Sequence, residues 1–122
     1  MQRGVFDGKN FAHLATLMPD GRPQVTPVWV DVEDGLIRVN SAKGRVKDKN
    51  MRRDARVCIS THDQENPYER VVVFGRVVEI TEEGAGEHID ALARKYQGVD
   101  RYEWLAPGEV RVTYKIKPER VV

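Results

Sequence analysis

The strongest constraint on this chain is its punctuation. Pro19-Asp20-Gly21-Arg22-Pro23 and Glu33-Asp34-Gly35 cut short apolar segments apart at close intervals. Asp-Gly marks a tight turn because glycine takes positive φ without steric cost. Segments this short between such turns read as consecutive antiparallel strands. Strands are expected over His13 to Met18, Gln24 to Val32, Leu36 to Asn40, Arg56 to Thr61, Glu69 to Ile80 and Val110 to Ile116. In the second, Val28, Val30 and Val32 share one face at period two. Pro27 lies inside that strand and removes a ladder donor, which predicts a sheet edge, a bulge, or the approach of something other than a strand. Gly75 predicts a kink or bulge in the long valine-rich fifth strand.

Two segments read as helices. One is short, Arg45 to Arg53. The other opens at Thr81-Glu82-Glu83, carries Ile89, Leu92, Ala93 and Tyr96 at helical spacing, and stops at Gly98. The order is three strands, a helix, two strands, a helix and a strand. A small antiparallel β-barrel with two helices outside satisfies it, since a closed sheet hides its edges.

Composition narrows the function classes. At 122 residues the chain fits one domain, residues 1–122, and 40% hydrophobic content supports a core. The longest aliphatic or aromatic run, Val71-Val72-Val73-Phe74, is too short to span a bilayer. A net charge of +1 argues against a general nucleic-acid binder. The first residues show no apolar stretch with a cleavage site, so no secretory signal is expected. The single cysteine, Cys58, excludes an internal disulfide framework and fits a reducing cytosol. Its mid-strand position reads as a small buried residue. His13, His62 and His88 match no metal-ligand spacing, so no metal site is expected. No catalytic acid–base or nucleophilic constellation stands out.

The stretch that suggests chemistry is Asn40-Ser41-Ala42-Lys43-Gly44-Arg45-Val46-Lys47-Asp48-Lys49-Asn50-Met51-Arg52-Arg53. A strand ends, a glycine turn follows, and a helix begins with cations. Helix starts normally favour acids, because their amides carry partial positive charge. Cations there make sense if an anion is bound, with free amides, the Ser41 hydroxyl and basic side chains converging on a phosphate. Helical projection puts Arg45, Asp48, Lys49, Arg52 and Arg53 on the solvent side and Val46, Lys47, Asn50 and Met51 toward the protein. An inward Lys47 needs a partner. A basic surface helix with no ligand is the plainer alternative.

Three segments together resemble a known family. Phe11-Ala12-His13-Leu14-Ala15-Thr16-Leu17-Met18-Pro19-Asp20-Gly21-Arg22-Pro23-Gln24-Val25-Thr26-Pro27-Val28-Trp29 is similar to the opening hairpin of the pyridoxamine 5′-phosphate oxidase-like split β-barrels, in particular their flavin- and deazaflavin-dependent branch. Ser41 to Val57 resembles that family's phosphate-binding segment, and Val110 to Val121 its closing strand. The resemblance implies a mainly β fold: a six- to seven-stranded antiparallel split barrel, homodimeric, with cofactor sites at the subunit interface. It implies that Lys47 contacts the cofactor phosphate, and that Ser41, Gly44, Arg45 and Asn50 line it. It further implies that Gln24, Thr26, Pro27, Val28 and Trp29 lie along the tricyclic ring.

There is one departure. The oxidases proper carry an arginine and a lysine on the second strand, where this chain has Val25 and Val30. That disfavours vitamin B6 oxidation and favours the deazaflavin branch. The resemblance thus implies a cytoplasmic oxidoreductase that uses coenzyme F420 on a small unsaturated or quinone-like molecule. The alternatives are an FMN-binding oxidoreductase, a cofactor-binding protein without efficient turnover, and a decayed dimeric module.

Overall fold

The computed structural model describes residues 4–122. A one-turn helix, α1 (Gly4–Asp7), precedes four strands: β1 (Ala12–Leu17), β2 (Pro23–Val28), β3 (Val30–Glu33) and β4 (Leu36–Ala42). Then come α2 (Val46–Arg53), β5 (Arg56–His62), β6 (Arg70–Thr81), α3 (Ala85–Gln97) and β7 (Arg111–Val121). All seven strands join one antiparallel sheet in the order β2-β1-β5-β6-β7-β4-β3. No described helix is long and apolar enough to cross a membrane.

The expected second strand, Gln24 to Val32, is two strands. It breaks at Trp29, so β2 pairs only with β1 and β3 only with β4. The sheet is therefore not closed by hydrogen bonds, as a continuous barrel would be. Its two outermost strands are consecutive in the chain and joined through one residue, which curls the sheet back on itself. Trp29 leaves the ladder because its ring stacks flat on Tyr96 of α3, with centroids 5.4 Å apart and planes 6° apart. Pro27 sits on the β2 edge, opposite His13, where a missing N–H costs no ladder bond.

The core lies inside the curl. Val28, Val30, Val39, Ile59, Val73, Val112, Tyr114 and Ile116 form one buried cluster, joined by Met51 from α2 and by Val5 and Phe6 from α1. The short α1 is an addition to the two expected helices. A second cluster of Ile89, Leu92 and Tyr96 seats α3 against Trp29 and Tyr102. The N-cap of α3 is Gly84 rather than Thr81, which ends β6 and accepts the Glu83 N–H instead.

The face of α2 differs from its projection. Val46 is exposed, whereas Asp48 is only 2% exposed. Arg45 caps the helix with no side-chain bond, so the Asp48 carboxylate turns back to do so. It accepts the Gly44 N–H at 2.9 Å, Arg52 Nε at 3.0 Å and the Tyr114 hydroxyl. A buried carboxylate with three donors is tolerable; one without them is not.

Candidate functional site

A cleft of about 200 Å³ opens where β2 gives way to β3, beside the start of α2. Pro27, Val28 and Trp29 form one wall, and Arg45 and Lys47 another. The expected Lys47 placement and the β2 corner thus meet in one cavity. Lys47 is half-buried, and its ammonium donates to Thr26 Oγ1 at 3.1 Å. Burial, then the charges of Arg45 and Arg111, hold its pKa below the ordinary lysine value. A lysine in that environment gains from an anion that offsets the neighbouring cations.

The other expected residues divide. Thr26 faces Lys47. Gln24 lies two residues back on the same strand face, with a buried Oε1 that has no partner in the described structure. Gly44 takes φ +94°, a conformation suited to glycine, but its N–H is already given to Asp48. Asn50 is buried and spent on structure: it donates to Thr16 Oγ1 at 3.0 Å and accepts from Arg53 at 2.7 Å. Ser41 points with Ile37 and Val39 into the barrel, not into the cleft, and its buried Oγ is unpartnered.

The cleft also takes in residues outside the expected set. Arg111, at the start of β7, lines the cleft, as do Asn40, Phe11, Tyr102 and Trp104. Arg111 donates from Nε to Asn40 Oδ1 at 2.9 Å and lies 5.2 Å from the centroid of the Tyr102 ring. That bond fixes the Asn40 amide. Its Nδ2 donates to Ala85 O at 3.0 Å and sits 3.2 Å from His88 Nδ1. His88 Nδ1 also lies 2.9 Å from Thr113 Oγ1, and its Nε2 faces Asp31 Oδ1 at 3.3 Å. Burial raises the Asp31 carboxyl, but bonds and charge from His88 and Arg38 outweigh it and leave its pKa below the usual value.

Glu109 completes the cationic corner, 3.3 Å from Arg111 and 3.6 Å from Arg45. The alternation of Val110, Val112 and Tyr114 does place Arg111 on the opposite strand face. That was the available signal, but nothing local tied it to α2.

Two further cavities, of about 430 and 470 Å³, adjoin the cleft through Phe11 and are reached past Pro27 and Trp29 respectively. His13 and His62 line the first of them, yet no metal-binding cluster of His, Cys, Asp or Glu occurs among the described residues. Cys58 is half-buried, and burial raises its thiol pKa.

A family model described as pyridoxamine 5′-phosphate oxidase matches residues 2–122. Among solved structures, an F420 reductase superposes with a TM-score of 0.88 at 28% identity, covering 98% of this chain and 94% of its own. A conserved hypothetical protein from Mycobacterium tuberculosis gives 0.77 at 26% identity, covering 98% and 79%. A FAD-binding protein from Mesorhizobium loti gives 0.66 at 25% identity, covering 97% and 87%.

Proposed function

Because the chain belongs to the pyridoxamine 5′-phosphate oxidase family, we propose that it is an oxidoreductase that uses coenzyme F420 to reduce a small unsaturated or quinone-like molecule. The observation that carries this reading is the convergence of Lys47, Arg45 and Arg111 on one cleft beside the Pro27–Trp29 corner. Three cations from two separate elements suit an anionic tail. The aromatic and aliphatic wall beside them suits a planar ring. The likeness to an F420 reductase supports the deazaflavin over a flavin.

In this reading Lys47, Arg45 and Arg111 hold the phosphate, and the backbone and side chains from Gln24 to Trp29 border the ring. The chemistry the reduced deazaflavin supplies when bound is hydride donation. The chain's own work is to bind and orient. Lys47 is fixed by Thr26, Arg111 by Asn40, and Trp29 by Tyr96. Phe11, Trp29 and Trp104 present aromatic surface on the side where an acceptor would stack. This explains why no acid–base pair stands out.

The second reading is an FMN-binding oxidoreductase on the same scaffold. The family match and the likeness to a FAD-binding protein favour it. We further take the working unit to be a cytoplasmic homodimer with its cofactor sites at the subunit interface.

Titration of the purified protein with F420 and with FMN, followed through tryptophan fluorescence, tests the assignment. F420 is expected to quench with the lower Kd. Tighter FMN binding would move the assignment to the flavin. Failure of both would overturn the cofactor reading and leave a decayed module. Turnover of reduced F420 with quinone and enone acceptors separates an enzyme from a cofactor carrier.

A further inference from the structure

We propose that Glu109 makes this cleft selective for a phosphodiester over a terminal phosphate monoester. This rests on the cofactor reading above and sharpens it: the residue would discriminate a deazaflavin tail from FMN.

Glu109 stands between the two arginines of the site. One carboxylate oxygen lies 3.6 Å from Arg45 Nη2 and the other 3.3 Å from Arg111 Nη1, and its side chain is only 11% exposed. It is not needed to aim Arg111. That guanidinium is already held by Asn40 Oδ1 and laid over the Tyr102 ring, and is itself 8% exposed. What Glu109 does change is the charge an incoming anion meets. It sets one negative charge against the three cations.

The consequence follows from how two energies scale. Attraction between the site and an anion grows in proportion to the anion's charge. The cost of stripping water from that anion grows with the square of its charge, the Born scaling behind the expense of buried ions. A phosphodiester carries one charge at neutral pH. A monoester, whose second pKa is about 6, carries nearly two. Each positive charge that Glu109 cancels therefore weakens the case for the dianion most. Donor supply points the same way. The carboxylate accepts from Arg111 Nη1 at 3.3 Å, and Thr26 takes one Lys47 hydrogen, whereas Arg45, at 3.6 Å, is paired by charge alone. A diester offers two free phosphate oxygens to the donors that remain, and a monoester three.

The test compares wild type with Glu109→Gln, each titrated with FMN and with F420 at pH 7.5. Glu109→Gln is expected to tighten FMN about tenfold and F420 by no more than about threefold, so that the ratio of the two Kd values shifts toward FMN. Both ligands binding with an unchanged ratio, or a ratio shifted toward F420, overturns the inference and leaves the cofactor reading standing. Neither ligand binding to wild type overturns both.

A second arm needs no variant. Wild-type affinity for FMN is measured at pH 5 and pH 7.5, on either side of the monoester's second pKa of about 6. Tighter binding of the monoanion at pH 5 is expected. Equal or weaker binding there overturns the proposal, whether or not Glu109→Gln folds.

Discussion

Lys47 carries the sharpest consequence of any single side chain. Its ammonium has one hydroxyl partner, Thr26, and two like-charged neighbours, Arg45 and Arg111. Lys47→Ala is expected to weaken cofactor binding by about 1.5–3 kcal/mol, the range for a hydrogen bond to a charged group. The thermal midpoint should hardly move, because relief of charge repulsion offsets the lost bond to Thr26. An unchanged Kd in a fluorescence titration would place the phosphate elsewhere. Asp48 is the opposite case, a buried charge that serves structure. Burial alone would raise its carboxyl, but bonds from Tyr114, Gly44 and Arg52 outweigh it and leave the pKa below its ordinary 3.8. A carboxyl depressed in the folded state stabilises the protein above its unfolded pKa. That contribution is lost as pH falls through the lower folded value. Asp48→Asn should therefore cost about 1–3 kcal/mol at pH 7, the penalty for unsatisfied buried donors. It should also lose less stability than wild type between pH 7 and pH 3. Urea denaturation at the two pH values measures both effects, and parallel losses in the two proteins would refute the linkage.

Between single side chains and the whole sheet, Gly75 shows how one element depends on another. The β6–β7 register shifts between Phe74 and Gly75, and a Cβ at Gly75 would lie 2.7 Å from Lys117 O and 2.8 Å from Ile116 Cγ2. Backbone on the neighbouring strand cannot step aside cheaply. Gly75→Ala is expected to destabilise by about 1–3 kcal/mol, read as a lower urea midpoint, and a neutral result would mean that the bulge can slide. That bulge was legible in the sequence because a glycine in a valine run has few other uses. The hairpins at Gly21 and Gly35 were legible from their turn chemistry. The break at Trp29 was not. Val28 and Val30 both stay in the core, so the valine pattern runs on unbroken, and the decision lies with Tyr96 on a distant helix. The α2 face was misjudged because Asp48 is polar by composition and buried by pairing. Of the candidate site, Arg45 and Lys47 could be found locally, and Thr26 and Trp29 through the resemblance. Arg111, Asn40 and Glu109 could not, since β4 and β7 become neighbours only when the sheet forms.

At the scale of the whole molecule, the sheet is covered unevenly. α3 packs over β4 and β7, where Asn40 and Thr113 meet His88. Among the described residues, no helix covers the outer side of β2, β1, β5 and β6 in the same way. Val25, Phe74 and Val78 are 57%, 46% and 50% exposed there. An apolar groove of about 210 Å³ runs among Ala15, Leu17, Pro23, Cys58 and Phe74. Isolated exposed valines need no explanation, but an apolar groove lined by a half-exposed Phe74, with Arg56 also lining it, is a surface that a partner can cover. A second copy of the chain is the occupant that fits the family reading, and it would have to bury about 1,200–2,000 Å² to hold. Phe74 is the point to attack. It sits centrally on β6, and Arg120 lies 5.9 Å over its ring, so Phe74→Glu can pair with that arginine without unfolding the strand. Light scattering should give wild type about twice the 13.9 kDa chain mass and Phe74→Glu the single mass, with an unchanged circular dichroism spectrum. Cofactor affinity should fall with the dimer, because the sites are proposed to lie at the interface. A wild-type monomer that binds cofactor normally would refute the interface. A monomeric Phe74→Glu that keeps full affinity would confine the site to one subunit.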